Sequence, residues 1–393
     1  MLNASTRLLL NVGHAIDHMF LLIFATAVTR IAADFGVARW EDLMPYSVAA
    51  FFFFGLGSLP AGKLGDQWGR RPMMLVFFAG MGVAALLVSV SQSPLQMALA
   101  LALLGCFAAI YHPVGIPMLV QGAERPGRTI GINGLAGNLG IAAAAVVTGF
   151  FVKYFGWRAA FAVPGVVCLV CGVLFAMVAP REMQAPAKKK VSSAAPAGVS
   201  LARLFLVMTL ASTTGSLVFN FSTSSNYEML ASRLQSMASD PAQLGLLLAA
   251  VYAAASVTQL VVGHLLDRHA LKTLYLGVIA LQAVFIALAI VSNGWVFYLL
   301  QFLFMATIFG AVPFTDAMLV RFVDDSMRSR VAGMRLAVSL GASSLAVWLI
   351  GPVVKQAGFT ALLTLMAATS LVTLAVVSQL PRTPRPVPLP RTA

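Results

Sequence analysis

Long apolar runs separated by short polar turns occupy this chain from end to end. Runs able to cross a bilayer fall at roughly 8–30, 43–62, 72–91, 95–121, 130–154 and 158–179, and again at roughly 202–223, 241–262, 273–292, 295–320, 331–352 and 358–379. About 20 apolar residues in helical conformation span the hydrocarbon core. The pattern therefore predicts an all-α membrane protein with twelve transmembrane helices, here called spans one to twelve. It breaks once, at 181–201, where Lys188, Lys189 and Lys190 and several Ala, Pro and Ser read as a flexible cytoplasmic linker. The expected organisation is a six-helix bundle over 1–180, the linker, a second six-helix bundle over 202–380, and a flexible Pro- and Arg-rich tail over 381–393. The stretch 226–240, between spans seven and eight, is amphipathic enough to extend span seven or to lie at the membrane interface.

Composition agrees with the pattern. The chain is 60% hydrophobic and only 10% charged, whereas a soluble domain carries about 25% charged residues, so it cannot cover a water-facing surface. No cleavable signal is expected: the first run starts near Arg7, is long enough to span, and has no small-residue cleavage site followed by a mature domain. A net charge of +13 in a soluble chain would suggest nucleic acid; here it follows from the enrichment of Lys and Arg in cytoplasmic loops. With both termini in the cytoplasm, six of the 26 Lys and Arg (Arg30, Arg39, Lys153, Arg158, Arg233, Lys355) fall on the far side, Arg335 lies in a span, and the other 19 are cytoplasmic. The opposite orientation inverts that ratio. Cys106, Cys168 and Cys171 all sit in apolar runs; Cys168-x-x-Cys171 has the spacing of a redox or metal motif but lacks a polar flank and reads as packing.

A basic segment occurs twice. Gly62-Lys-Leu-Gly-Asp66-Gln-Trp-Gly69-Arg70-Arg71 is followed 201 residues later by Gly263-His-Leu-Leu-Asp267-Arg268-His-Ala270-Leu-Lys272, each copy between two apolar runs. At the same offset Gly140 in span five matches Gly341 in span eleven. Pro113 and Pro313 match after a one-residue slip, and both fifth spans are entered from a basic turn (Arg125, Arg128; Arg328, Arg330). The halves read as parallel six-helix repeats related by an axis along the membrane normal, an arrangement characteristic of transporters.

These residues resemble the major facilitator superfamily. The pattern Gly-x-x-x-Asp-x-x-Gly-Arg-Arg at 62–71 is similar to that family's signature between spans two and three, the copy at 263–272 to its second-half counterpart, and Gly156-Trp157-Arg158 to a segment opening span six. The resemblance covers essentially the whole chain. Tyr111-His112-Pro113, Pro313-Phe-Thr-Asp316 and Arg328-Ser-Arg330 are similar to the fosmidomycin-resistance-like branch. Two departures stand out: 101–105 lacks the Arg found early in span four of many members, and 134–140 keeps glycines but lacks the Gly-Pro pair of many antiporters. Both weaken an assignment as a drug/proton antiporter.

The resemblance implies a gating role for the hairpins. Gly62 and Gly69 permit a tight turn and close helix approach. Asp66 would accept hydrogen bonds from the N-terminus of span eleven, where the helix dipole favours an anion, latching the cytoplasmic side until the halves rock. Arg70 and Arg71 would steady the hairpin or meet lipid phosphates, or serve only to set topology. The second copy (Gly263, Asp267, Arg268) has Ala270 in place of Gly69 and is expected to latch more weakly.

Few ionisable groups enter the spans: His14, Asp17 and His18 in span one, His112 in span four, Asp316 in span ten and Arg335 a turn into span eleven. A charge at the bilayer centre costs on the order of 3 kcal/mol or more, so such groups usually face a wet cavity. The resemblance implies that spans one, four, seven and ten line it; span seven adds Asn220, Ser222 and Thr223. His14, Asp17 and His18 share one helix face. A carboxylate neighbour favours the protonated imidazole, so this cluster can load and release a proton near neutral pH. Asp17 is the expected coupling carboxylate, with His14 or His18 relaying, His112 nearby, and Asp316 a second candidate for coupling or substrate. Bland alternatives stand beside this: His14 interfacial, Asp17 or Asp316 a structural hydrogen bonder, His112 satisfying a carbonyl freed at Pro113, Arg335 snorkelling.

The expected function is a secondary active transporter moving a small molecule or ion by alternating access, proton-coupled, with export preferred on the resemblance alone. It is expected to act as a monomer in a bacterial cytoplasmic membrane, with no cofactor and no nucleic-acid partner. A transition-metal or metal-chelate transporter using His14, Asp17 and His18 is the alternative; the 18 Met residues form no Met-x-x-Met ladder and read as packing. A non-transporting receptor or assembly factor is the alternative of another class. No Gly-x-x-x-x-Gly-Lys-Ser/Thr loop and no catalytic constellation point to a pump or an enzyme.

Overall fold

The computed structural model describes residues 2–181 and 201–381 apart from 122, 125, 236, 267, 323 and 324, and no side chain at 126, 127, 201, 319–321, 325–336 or 340. Among the described residues the chain is helical throughout, with no strand. The linker and the tail expected from the sequence fall outside the described residues.

The first half contains α1 (Ala4–Asp34), α2 (Val48–Trp68), α3 (Arg70–Ser89), α4 (Pro94–Ala108), α5 (Ile116–Val120), α6 (Pro126–Tyr154) and α7 (Trp157–Val178). Local chemistry fixes the ends. Asn3 caps α1 by accepting from the Thr6 amide at 2.7 Å, and Ser93 caps α4 from the Gln96 amide at 3.3 Å; both side chains satisfy an amide left without an intrahelical acceptor. Span four is not one regular helix: a π-helical turn over Tyr111–Gly115 joins α4 to α5. Pro113 and Pro117 lack the N–H groups that a continuous α-ladder needs there. The second half contains α8 (Leu201–Thr223), α9 (Asn226–Arg233), α10 (Pro241–Leu266), α11 (Leu271–Ile290), α12 (Gly294–Phe322) and α13 (Asp325–Ser378). Eleven helices are long and apolar enough to cross a membrane. The predicted twelve are recovered because α13 holds spans eleven and twelve, broken at Gly358 with φ +71°.

Within the first half α1 packs on α6 and α7, and α3 on α4 and α7; within the second, α8 and α11 pack on α13, and α10 and α11 on α12. Across the halves α6 meets α10 and α2 meets α13. The starts of α1 and α3 lie beside the end of α7: Asn3 Nδ2 donates to Val178 O at 2.9 Å, and Arg71 donates to Ala176 O and Ala179 O at 2.6 and 3.1 Å. In the second half Lys272 Nζ donates to Leu380 O at 2.7 Å and Arg203 to Gln379 Oε1 at 3.1 Å. In each half, then, the start of the first span lies beside the end of the last.

The described polar contacts between halves gather at the opposite face. Lys153 pairs with Asp240 at 2.6 Å, Lys355 with Asp42, Arg39 reaches Lys355 O at 3.3 Å, and Trp40 stacks on Phe359. Thr29 Oγ1 donates to the buried Glu228 at 2.7 Å. A Cβ added at Gly149 would lie 2.4 Å from Pro241 O, so bare backbone lets α6 and α10 touch. The apolar packing divides in the same way. One core runs through the first half and the far end of the second; a separate core around Leu204, Leu266, Tyr275, Phe314 and Leu380 serves the second half at the termini face.

The repeated hairpins differ in build. Gly69 joins α2 to α3 with φ +93°, a conformation that side chains resist. Ala270 occupies the equivalent place at φ −65°. Gly62 is not the residue of closest approach: a Cβ there would sit in ordinary contact with Pro113 at 3.4 Å, whereas one at Gly65 would meet Val114 at 2.8 Å. Gly263 faces open space.

Candidate functional site

The structure brings four of the predicted residues together. His14, Asp17 and His18 share the inner face of α1, and the π-helical turn swings Tyr111 and His112 against them. The imidazole centroids of His14 and His18 are 4.8 Å apart, those of His14 and His112 5.1 Å, and those of His18 and His112 5.5 Å. One ring nitrogen from each of the three lies within 4.8 Å of the others. His112 Nε2 stands 3.8 Å from Asp17 Oδ2. His112 thus faces Asp17 and the other two rings, rather than a carbonyl freed at Pro113.

Close backbone packing makes room for the cluster. A Cβ at Gly140 would lie 2.1 Å from Ala15 O, and one at Gly137 would lie 2.7 Å from His14 Cε1. Glycines on α6 therefore let α1 approach and admit the ring. Phe54 from α2 meets His112 edge-on at 5.8 Å, and Tyr111 stacks on His14 at 4.7 Å.

A hydrogen-bond network orients His14. Its Nδ1 lies 2.7 Å from Asn133 O. A carbonyl only accepts, so Nδ1 carries the proton and Nε2 presents a lone pair, 3.1 Å from His18 Nε2. The Asn133 Nδ2 donates to Tyr111 Oη and Asn11 Oδ1 at 2.7 and 2.9 Å, and Tyr111 Oη donates to Leu10 O at 2.7 Å. Every partner that fixes this imidazole is itself fixed. Asn133, Asn11 and Tyr111 were not among the expected site residues. A polar Asn at each of two points in apolar spans was the available signal.

Asp17 contrasts with its surroundings. Its side chain is fully buried, and neither carboxyl oxygen has a hydrogen-bond partner. A carboxyl in a low-dielectric interior with no donor aimed at it is sustained by a proton or a cation. His18 and His112 are half-buried, so the cluster is not sealed.

The remaining predicted residues lie elsewhere. Asn220, on α8, donates to Ser343 Oγ at 2.8 Å and Ser216 O at 2.9 Å. Asp316 is exposed on α12 and does not join the imidazole cluster. Arg335 and Asp267 lie where side chains are outside the described residues. Asp66 is exposed and interacts electrostatically with Arg70; the N-terminal side chains of span eleven, its expected latch partner, are also outside the described residues. Arg70 Nη1 donates to Pro117 O and Gln121 Oε1, both at 2.9 Å. With Arg71 on the end of α7, the two arginines place cations on helix C-termini, where the dipole favours them. Arg268 is exposed. Trp157 Nε1 and Arg158 both reach Asp34, which ties α7 to the end of α1. Cys168 is buried against Phe78 O, as packing requires.

Comparison with known proteins places this architecture. The sequence pattern described as Major Facilitator Superfamily matches residues 10–233 and 216–393. The chain is 24% identical over 298 residues to "Multidrug resistance protein MdtG" of Enterobacter lignolyticus, covering 74% of this chain and 70% of that one. Over a shorter 141 residues, 34% of this chain and 26% of the other, it is 33% identical to the "Tetracenomycin C resistance and export protein" of Streptomyces glaucescens. Its fold is similar to a crystal structure of a D-xylose-proton symporter, with a TM-score of 0.79 at 14% identity over 95% of this chain and 97% of that one. An inward-open structure of the xylose transporter XylE from E. coli gives 0.76 at 13% identity, covering 96% of each chain. With matching halves, twelve spans and a family pattern that runs through both, the chain belongs to the major facilitator superfamily of membrane transporters.

Proposed function

We propose that this protein is a secondary active transporter of a bacterial cytoplasmic membrane that exports a small solute in exchange for protons, by alternating access. The observation that carries the reading is Asp17: a buried carboxyl without a donor, 3.8 Å from the nearest imidazole of a three-histidine cluster, inside the first of two similar halves. Such a group exchanges a proton when its access to water changes, and a rocking motion of two bundles changes that access.

Several features support the rest. Lys and Arg are concentrated on the side of the termini, which favours a cytoplasmic location for that face. The described polar contacts between halves gather at the other face, which supports a reading in which that face is the closed one. The bundles over 1–180 and 202–380 act as the rocking bodies, as a monomer, and Asp66 latches the cytoplasmic side in the opposite state. Export is favoured by relatives whose names describe resistance and export. Proton coupling is favoured by the fold it shares with a protein described as a proton symporter.

The test begins with a ligand-stabilisation screen on the purified protein to find a solute that raises its melting temperature. That solute is then followed in proteoliposomes with an imposed pH gradient. Asp17→Asn abolishes gradient-driven transport while the protein remains folded and monodisperse. Full gradient-driven transport by that variant would refute the coupling role.

A further inference from the structure

Three imidazoles and an unpartnered carboxylate are more than a proton relay needs. We infer that His14, His18, His112 and Asp17 form a binding site for a divalent transition-metal ion, and that this ion is the solute the protein carries. The inference rests on the reading of this cluster as the transport centre and names what the centre holds.

The donor set is the first argument. Imidazole nitrogens with one carboxylate suit zinc, nickel, cobalt, copper or ferrous iron, and discriminate against magnesium and calcium, which take oxygen ligands. Geometry is the second. Two nitrogens about 2.1 Å from one zinc ion lie about 3.4 Å apart in a tetrahedral shell; His14 Nε2 and His18 Nε2 are 3.1 Å apart. The widest separation among the three nitrogens is within 4.8 Å, a difference that rotation about the broad terminal torsion of a histidine can close. The three imidazoles are the group close enough to share one ion, and Asp17 stands beside them, its Oδ2 3.8 Å from His112 Nε2, as the nearest carboxylate that could turn to the ion.

The outer contacts are the third argument. A metal-binding histidine characteristically donates its other ring N–H to a carbonyl or carboxylate, which fixes the tautomer and aims the lone pair. His14 does this to Asn133 O, and the Asn133 side chain is itself held by Tyr111 and Asn11. The fourth is charge. Both Asp17 oxygens are buried with no hydrogen-bond partner, and a bound cation supplies what the protein does not. Half-burial of His18 and His112 leaves a path of entry.

The experiment is a Co²⁺ titration of the untagged, full-length protein in detergent. His264→Ala and His269→Ala are introduced first, because the chain has five histidines and these two are exposed at the second hairpin. One equivalent of Co²⁺ is expected to bind, with visible absorption and X-ray absorption signatures of imidazole ligation. His18→Ala and the milder His112→Gln are each expected to weaken binding at least about tenfold. The ion is expected to cross proteoliposomes loaded with a metal-sensitive dye, and His112→Gln to slow it. No Co²⁺ binding by the folded parent, or a spectrum without imidazole ligands, overturns the site regardless of how the variants fold. Binding without transport of Co²⁺ or Zn²⁺ overturns the cargo assignment. If an organic solute is instead driven by the pH gradient in an Asp17-dependent way, this inference fails while the proposed function stands.

Discussion

The two halves share a fold but not a chemistry. Where α1 meets the π-helical turn of the first half, the interior holds three histidines and an aspartate whose carboxyl no donor satisfies. Where α8 meets α13 in the second half, the described buried polar groups are neutral: Asn220, Ser216 and Ser343 bond one another and Thr373 donates to Thr214 at 2.8 Å, while Ser212 and Thr213 have no partner. Hydroxyls and amides of this kind hold helices together. They cannot load or release a proton near neutral pH. On the reading proposed above, the repeat preserves the frame for a two-sided machine, and the first half carries its ionic work.

The interface between the halves sharpens the contrast, because it carries a titratable group of its own. Burial, with Glu41 nearby, raises the Glu228 carboxyl from its ordinary range to about 7, against the opposing effect of the Thr29 hydrogen bond. A raised carboxyl favours the closed interface below its unperturbed value, and that contribution is lost as pH rises through about 7. The full swing is of order 3 kcal/mol. Spin-label distances across the far face are expected to lengthen as pH rises from about 4.5 to 8, and Glu228→Gln to hold them short throughout. An unchanged distribution in the parent would remove Glu228 from the gate.

Next in size is a pair of substitutions at matching places in the repeat. Gly140→Ala pushes a methyl against Ala15 O and is expected to cost about 1–3 kcal/mol and lower the melting temperature. Gly341→Ala enters open space and is expected to leave it unchanged. Equal effects would mean that the halves are packed alike after all. The smallest effect concerns the hairpins. Arg71→Ala removes two bonds to the end of α7 and Lys272→Ala one bond to Leu380 O. We expect roughly 1 kcal/mol for the first and less for the second, read by denaturant unfolding in mild detergent.

How far the sequence could anticipate this follows from what each feature depends on. Hydropathy depends on composition alone, and it located the spans, including the join at Gly358 between spans eleven and twelve. The clustering of His14, Asp17 and His18 follows from helical spacing. The approach of His112 depends on a π-helical turn whose cause, two prolines flanking Gly115, was visible but whose direction was not. Gly62 was expected to make the close approach that Gly65 makes, because a crossing point depends on how two helices tilt. Asn133 acts on His14 through its backbone oxygen, which no side-chain pattern records. Glu228 sits in a stretch that looked interfacial, and its burial exists only because the halves meet over it.

The most direct test of the central claim is the proton count on solute binding, made on purified protein in weak buffer with a solute from the stabilisation screen. The parent is expected to exchange protons with the medium on binding. Asp17→Asn is expected to abolish that exchange, and Asp316→Asn in the other half to leave it intact. Undiminished exchange in Asp17→Asn with loss in Asp316→Asn would contradict the account and move the ionic work to the second half.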